Sequence, residues 1–296
     1  MALKRLEEHK VPTARRSHSG GLDRLHFAIR NVETCEWQGE RNEAEYVISD
    51  FELLLCTGGS AVVGQDGLTG TLKAGSAVLL LPFRPFTLAP QDGDALRCRS
   101  VHFLVEPVYL ERTLCGISRE AGKLVFPLSD TARMEELLDI GIRQMDARQF
   151  GGTILLQAAI MLALRDLIPE KVCAAAAEKY PVTQNQADLI ERAVELAMAG
   201  MDRPLRVNAM IKALETSESR LNKTFNEIMG TSPSRYFMGL KIRLAEELIN
   251  TSNLTLELVA SDLGFSSPFH LSRVYKEAFG ISPSRARRAY RERFTK

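Results

Sequence analysis

The strongest constraint on the fold is a repeat within the C-terminal half of the chain. Residues 217–235 align without gaps on residues 267–285, at an offset of 50 residues, and eight of the aligned positions are identical. The shared positions are the opening serine, a leucine, a glutamate, a glycine and the run Ser-Pro-Ser-Arg. Two copies are too few for a solenoid, which needs about three repeats to be stable. The repeat therefore predicts a duplicated supersecondary unit.

Each copy has the pattern of a helix–turn–helix. In the second copy, Thr255 can cap a short helix, Gly264 can form the turn, and Ser266 or Ser267 can begin a second helix that ends at Gly280. Helical spacing predicts one apolar face in each copy, formed by Leu221, Phe225 and Ile228 in the first and by Leu271, Val274, Tyr275 and Phe279 in the second. The opposite faces carry small, polar and basic residues, as a reader of the DNA major groove requires.

A single long helix is predicted between the two copies, from Pro233 to about Asn250. At 1.5 Å per residue it spans roughly 25 Å. A rigid rod of that length can hold two reading helices near the roughly 34 Å separation of successive major grooves. The pattern thus favours a protein that contacts two neighbouring grooves.

Residues 260–283 read ASDLGFSSPFHLSRVYKEAFGISP, and here the chain resembles the AraC-type transcription regulators. The similarity extends over about residues 185–288. One departure is Met210, which stands where the family usually has a small residue and where the second copy has Ala260. The resemblance implies two helix–turn–helix units bound to adjacent grooves of double-stranded promoter DNA. It also implies a homodimer, with RNA polymerase as a further partner if the protein is an activator.

Mapped by motif position, the resemblance implies seven base-facing residues, namely Ser219, Asn222, Lys223, Pro268, Phe269, Ser272 and Arg273. Asparagine can pair with adenine, lysine and arginine suit guanine edges or phosphates, and an apolar side chain can touch a thymine methyl group. For each of them alone, a merely solvated helix face is the alternative interpretation.

The N-terminal half has the pattern of an all-β domain. From about Val47 to Glu106, short apolar segments alternate with glycine-bearing turns at the spacing of a small antiparallel sandwich or barrel. The predicted strands are residues 51–55, 60–63, 70–72, 77–81 and 100–105. Pro82, Pro85 and Pro90 place the stretch after the fourth of these in a loop or at a sheet edge.

Two helices are predicted after Pro127. Ser129 or Asp130 can cap the first, and the second, residues 153–167, is apolar nearly all round. A helix without a polar face must be buried on more than one side. The β domain can cover one side, and either the same chain or a second subunit can cover the other.

These patterns predict four regions. Residues 1–128 form a cupin-like, effector-sensing jelly roll; residues 129–170 form a helix pair for dimerisation; residues 171–184 form a linker; and residues 185–296 form the all-α DNA-binding domain. The cupin-like assignment and the sensing role are implied by the resemblance.

For an organic effector, the candidate pocket residues are Trp37, Arg41, Tyr46, Arg84, Phe86 and His102. Aromatic rings stack on sugars and arginine pairs with hydroxyls or carboxylates, so a carbohydrate is the favoured effector, although any of the six can instead be core or surface. The N-terminal half has no His-x-His pair, which disfavours a catalytic metal, and no cofactor is expected. A structural role is favoured for His102.

An enzyme is the alternative class. It would be a cupin oxygenase or isomerase, or a DNA-repair methyl acceptor fused to a DNA-binding domain, for which Cys98, between Arg97 and Arg99, is the candidate thiol. The five cysteines never form a Cys-x-x-Cys motif, which favours buried thiols in a reducing cytosol over a disulfide framework. We expect a cytoplasmic regulator rather than an enzyme.

The location is inferred from two further features. Acidic residues stand near the N-terminus, where an export signal needs apolar ones. The longest apolar stretch, residues 154–164, is far shorter than the roughly 20 residues of a membrane span.

Charge divides the chain. With 45% hydrophobic and 25% charged residues, the composition is that of a soluble globular protein and excludes a disordered one. The net charge of +1 would argue against a nucleic-acid binder if it were evenly spread. Residues 181–296, however, hold 17 basic and 13 acidic residues, a net of +4, and the remainder is −3. A mildly basic half is thus joined to a mildly acidic one.

Overall fold

The computed structural model describes residues 25–37, 46–91, 95–147, 149, 151–169, 172, 181–204 and 207–294. Arg41 and most of the predicted linker lie outside these residues. The predicted division into four regions stays a prediction. The order of elements is nevertheless the expected one, a β-rich part followed by a helical part.

A β-sandwich forms the N-terminal part. Its larger sheet has the strand order β1-β7-β2-β5-β8 and its smaller sheet the order β4-β3-β6, and every adjacent pair is antiparallel. The strands are β1 (His26–Trp37), β2 (Phe51–Gly58), β3 (Ser60–Gln65), β4 (Leu68–Lys73), β5 (Ser76–Leu80), β6 (Phe86–Pro90), β7 (Leu96–Glu106) and β8 (Val125–Pro127). All five predicted strands are confirmed. Pro90 ends the edge strand β6, as its missing N–H donor requires.

The larger sheet is buried on both faces, because it separates two apolar cores. On β2, Leu54 and Cys56 point into the space between the sheets, whereas Leu53 and Leu55 point to the helices. This explains why β2 is buried along nearly its whole length rather than buried at every second residue.

Three helices cover the outer face of the larger sheet or pack beside it. They are α1 (Glu111–Glu120), α2 (Thr131–Asp146) and α3 (Gly152–Leu167). Asp130 caps α2, as predicted, by accepting a hydrogen bond from the Arg133 N–H at 2.9 Å. Helix α3 buries one face, but Ile154 is 55% and Met161 43% exposed on the other. This chain therefore covers only part of the predicted all-round apolar helix.

The C-terminal part contains seven helices within the described residues. They are α4 (Gln184–Ala199), α5 (Val207–Ala213), α6 (Glu218–Met229), α7 (Pro233–Thr251), α8 (Leu256–Asp262), α9 (Pro268–Phe279) and α10 (Pro283–Phe294). Helices α5 and α6 form the first helix–turn–helix unit and α8 and α9 the second. We call α6 and α9 the first and second reading helices and α7 the linker helix.

Most of the residues that are identical in the two copies lie at helix ends. Ser217 and Ser267 cap the two reading helices, and Gly230 and Gly280 end them at φ values of +71° and +72°. The shared Ser-Pro-Ser-Arg run then begins the following helix, in the first copy with Ser232 as the cap and proline at its first position. Local capping chemistry therefore accounts for most of the sequence identity between the copies.

The apolar faces predicted for the two units are buried against the linker helix, except that Val274 is only half-buried. Met210, the departure from the family pattern, is also buried and joins the core of the first unit. Among the described residues, no helix is both long enough and apolar enough to cross a membrane.

Candidate nucleic-acid interface

The first reading helix presents a polar face. Ser219 and Lys223 are exposed and Asn222 is half-buried. The opposite face is fixed by Phe225, whose ring packs edge-on against Phe237 of the linker helix at 5.4 Å between centroids. The three predicted reading residues therefore share one surface of a helix that cannot rotate without breaking this aromatic contact.

The second reading helix presents the corresponding face. Arg273 is exposed, Pro268 and Ser272 are half-buried, and Phe269 is 86% exposed. An exposed phenylalanine buries none of its apolar surface in this chain, so contact with a partner would be favourable. On the buried side, Tyr275 packs against the core of the second unit.

The reading faces are basic, although only mildly. Lys223 lies 3.8 Å from Glu227 one turn away, but both side chains are largely exposed, so this ion pair restrains the lysine little. Arg220 and Lys276, which were not among the predicted site residues, are two more exposed cations on the same helices. Arg220 and Lys276 could have been found from the sequence, because each stands within two helical turns of a predicted site residue, Lys223 or Arg273.

A buried lysine fixes the second unit on the linker helix. Lys241 Nζ donates hydrogen bonds to the carbonyl oxygens of Arg203, at 2.6 Å, and Leu263, at 2.7 Å, and lies over the ring of Phe265. Burial lowers the pKa of this ammonium group. At the turn of the unit, Gly264 has a φ of +60° and lies so close to Arg203 that a Cβ atom would come within 2.4 Å of its backbone. The turn therefore requires glycine for both conformation and space.

The β domain contacts the C-terminal ends of both reading helices. Arg112 of α1 donates hydrogen bonds to the carbonyl oxygens of Asn226, at 3.2 Å, and Glu227, at 2.6 Å, in the last turn of the first reading helix. Phe83, in the loop after β5, packs at 6.2 Å from Phe279 at the end of the second. Since the β domain contacts both helices through α1 and the loop after β5, its position is coupled to their relative orientation.

A polar seam joins the β domain to the linker helix. Arg30 of β1 binds Glu247 at 2.7 Å and Asp50 at 3.2 Å, and the Ser49 hydroxyl donates to Glu246. Burial raises the pKa of Glu246 to about 7, with the nearby charge of Asp50 adding to the shift. At neutral pH this carboxyl is therefore partly protonated in the seam.

His102 belongs to the same buried network. Its Nδ1 lies 3.0 Å from Asp50 and its Nε2 3.5 Å from Glu52. Burial opposes protonation of the ring, but the charges of Glu52 and Asp50 outweigh it and raise the pKa of His102 to about 9. These contacts hold His102 in a network of largely buried carboxylates.

The predicted effector residues are not gathered in one pocket. Trp37 packs beside the core between the sheets, the ring of Tyr46 lies tilted against that of Phe86 at 5.6 Å between centroids, and Arg84 pairs with Asp66 at 3.2 Å. His102 is enclosed in the carboxylate network, and Arg41 lies outside the described residues. Of the described candidates, only Arg84 lines a large cleft, which lies between the β domain and the helical part.

Cys98, the candidate methyl acceptor, has no exposed surface. Its contact with Cys56 on the adjacent strand, together with burial, raises its pKa, which leaves it a poor nucleophile. Within the described ranges, no group of three or more histidine, cysteine, aspartate or glutamate side chains is arranged to hold a metal ion. Neither enzyme alternative thus gains support from a site.

The C-terminal helices match a known family. Residues 210–289 match the family described as "Helix-turn-helix domain". This part of the chain is an AraC-type DNA-binding domain.

Two curated relatives, both transcription regulators, are similar to part of the chain. GbdR, an HTH-type transcriptional regulator of Pseudomonas aeruginosa strain UCBPP-PA14, is 32% identical over 105 residues, which are 36% of this chain and 28% of that protein. RhaR, an HTH-type transcriptional activator of Pectobacterium carotovorum, is 30% identical over 146 residues, which are 49% of this chain and 46% of that protein. The chain thus spans at most about half the length of either relative.

A solved structure extends the likeness over both parts of the chain. ToxT from Vibrio cholerae O395, bound to (E)-4-(8-methylnaphthalen-1-yl)but-3-enoic acid, superposes with a TM-score of 0.58 at 14% sequence identity, over 88% of this chain and 100% of that chain. At this identity the likeness establishes the fold alone. The order of a β-rich part followed by a helical part is therefore found in a solved structure.

Proposed function

We propose that the chain is a sequence-specific transcription regulator that binds double-stranded promoter DNA and responds to a small-molecule effector. One observation carries the proposal. Two reading helices with matching caps present exposed polar and basic faces and pack on one linker helix. The 19 residues of that helix extend about 28 Å.

We propose that the seven residues mapped from the sequence motif contact the DNA bases. In the first unit they are Ser219, Asn222 and Lys223, and in the second Pro268, Phe269, Ser272 and Arg273. Asn222 would pair with adenine, Lys223 and Arg273 with guanine or phosphate, and Phe269 with a thymine methyl group.

A DNA-retardation assay tests the proposal. Promoter fragments upstream of the protein's own gene or a neighbouring operon are titrated at several salt concentrations, and affinity is expected to fall steeply with salt. Arg273→Ala should weaken specific binding by roughly 1–3 kcal/mol. The matched control is Arg133→Ala on α2, an exposed arginine paired with Glu136, which should bind like the parent. Equal affinity of Arg273→Ala and the control would remove Arg273 from the reading surface.

We propose a homodimer formed through α3. Its exposed Ile154 and Met161 lie on the face opposite the sandwich, where a second copy of α3 would bury them. Met161→Glu should therefore lower the sedimentation coefficient at micromolar concentration. A parent that sediments as a monomer under the same conditions would contradict the dimer. RNA polymerase is a further proposed partner if the protein activates transcription.

The effector remains a proposal in both identity and place. The sequence favours a carbohydrate held by the β domain near Trp37, Tyr46 and Phe86. That a protein of this fold can bind a small molecule is supported by ToxT, whose structures hold an unsaturated fatty acid or a naphthalenyl butenoic acid. We propose further that the protein acts in the cytoplasm and that it is not an enzyme.

A further inference from the structure

The polar seam between the β domain and the linker helix, taken with the network around His102, brings together more acidic than basic groups. Its described members are five carboxyl groups and two cationic groups, namely Glu33, Asp50, Glu52, Glu246 and Glu247 with Arg30 and His102. Arg243, on the preceding turn of the linker helix, is already paired with Glu111 at 3.2 Å. If every carboxyl group were ionised, five negative charges would face two positive ones. Uptake of a proton therefore favours the closed seam.

Glu246 is the carboxyl group most exposed to this imbalance, because it lies between the two parts of the chain. The Ser49 hydroxyl donates a hydrogen bond to it, and the carboxylate of Asp50 stands next in the same loop. Arg30 is shared, since its guanidinium binds Asp50 at 3.2 Å and Glu247 at 2.7 Å. Burial, with the like charge of Asp50 added, raises the pKa of Glu246 to about 7.

The position of Glu246 differs from that of His102 in what happens when the two parts separate. His102 contacts Asp50 at 3.0 Å and Glu52 at 3.5 Å, and both carboxylates belong to its own domain. These contacts survive separation, whereas Glu246 would exchange the seam for water. Glu246 also faces the second reading helix, because burial and the charge of Glu246 raise the pKa of Tyr275. Its protonation is therefore linked to the contact between the β domain and the helical part.

We propose that the polar seam is a proton-sensitive latch. With the Glu246 carboxyl protonated, the seam holds the β domain on the linker helix; loss of that proton places a second carboxylate beside Asp50 and weakens the hold. Arg112 and Phe83 join the β domain to the ends of the two reading helices, so a looser seam also loosens these contacts. The effect on DNA binding rests on the proposed function, whereas the proton-dependent contact itself does not.

The size of the effect follows from the linkage between proton binding and closure of the seam. A Glu246 pKa of about 7 in the closed seam, against 4.5 in the open one, favours closure fully below pH 4.5 and ever less as the pH rises through 7. Between pH 6 and pH 8 the closing constant should fall about tenfold.

Hydrogen exchange of the full chain, followed by mass spectrometry at pH 6 and pH 8, tests the latch away from Glu246 itself. The reporter is the end of the first reading helix, residues 226–230, where Arg112 donates hydrogen bonds to the carbonyl oxygens of Asn226 and Glu227. After correction for the intrinsic exchange rate at each pH, protection there should be about tenfold lower at pH 8 than at pH 6. Equal protection at the two pH values would overturn the proposal.

Glu246→Gln supplies the uncharged form of the side chain with nearly the same shape, so the variant should fold. It should keep high protection of residues 226–230 at both pH values. The matched control is Glu257→Gln, exposed on α8, which should lose protection between pH 6 and pH 8 as the parent does. If Glu246→Gln changes exchange only within the linker helix, the carboxyl group acts locally and the proposal is wrong.

Retardation of promoter DNA at the same two pH values and constant salt tests the regulatory step. The affinities of the parent and of Glu257→Gln should change at least threefold between pH 6 and pH 8, and Glu246→Gln should lose most of that change. Equal parent affinities would overturn the regulatory step. A parent with pH-dependent protection that retards no promoter DNA would refute the proposed function and leave the latch intact. A parent that retards DNA but has the same protection at both pH values would do the reverse.

Discussion

Gly264→Ala tests the account of the second helix–turn–helix unit most sharply, because the chain contains a matched control. Gly264 and Gly280 have similar positive φ values, +60° and +72°, so alanine pays a similar conformational penalty at both, roughly 1–2 kcal/mol. They differ in space. A Cβ at Gly280 would meet nothing within 4 Å, whereas one at Gly264 would lie 2.4–2.6 Å from the backbone atoms of Arg203.

The difference in cost follows from what holds Arg203. Its carbonyl oxygen accepts a 2.6 Å hydrogen bond from Lys241 Nζ, so moving the Arg203 backbone away from the new methyl group strains a charge-assisted hydrogen bond as well. Such a bond is worth about 1.5–3 kcal/mol. We therefore expect Gly280→Ala to cost about 1–2 kcal/mol of unfolding free energy and Gly264→Ala about 3–5 kcal/mol.

Urea unfolding followed by two signals provides the assay. The chain has a single tryptophan, Trp37, which lies in the β domain, so its fluorescence follows that domain while circular dichroism at 222 nm follows mainly the helices. Gly264→Ala should lower the midpoint of the dichroism transition far more than that of the fluorescence transition. Equal losses in the two glycine variants would refute the steric argument.

Three further outcomes follow from the contacts between the two parts. The pKa of Glu246 is raised from 4.5 to about 7, so this group stabilises the folded state fully below pH 4.5, and that stabilisation is lost as the pH rises through 7. The pKa of His102 is raised from 6.5 to about 9, so its stabilisation is likewise lost between pH 6.5 and 9. Glu246→Gln should therefore gain roughly 2–3 kcal/mol over the parent at pH 8 in urea unfolding and nothing at pH 4. Arg112→Gln should speed hydrogen exchange at residues 226–230 with less than about 1 kcal/mol lost from global stability, since the contact is exposed; unchanged exchange would count against it. Phe83→Ala removes the ring that contacts Phe279 and Arg243, so limited trypsin digestion should cut faster between the two parts. Phe86→Ala, within the sandwich, should instead lower the midpoint of the Trp37 fluorescence transition in urea.

The helical part was largely predictable because its signals are local. The caps Ser217 and Ser267, the turn at Gly264 and the proline at the first position of the linker helix each act within a few residues, so the sequence shows them directly. The strands from Phe51 to Glu106 were predictable for a similar reason, since turns separate apolar runs.

Strands β1 and β8 and helix α1 are among the elements that the sequence did not predict. Strand β1 carries Arg30, Asn31, Glu33 and Glu36, so its sequence does not alternate between apolar and polar residues. Arg30 belongs to the polar seam, and Asn31 donates a hydrogen bond to Glu33. Helix α1 lies in a stretch without a side-chain cap at its start, and β8 has only three residues.

The interdomain contacts could not be predicted at all. Arg30 and Glu247 are 217 positions apart, and Arg243 and Glu111 are 132 apart, so no local pattern joins them. The same holds for the cleft. The six effector candidates were chosen by residue type within one domain, whereas the large cleft between the β domain and the helical part draws its lining from both.

Selection of binding sites from a randomised DNA pool tests the central claim most directly. Two reading helices on one linker helix should enrich two conserved half-sites, centred about 10–10.5 base pairs apart on one face of the duplex. Selection with Arg273→Ala should then lose conservation in one half-site and keep it in the other. A single enriched half-site, or none, would contradict the account.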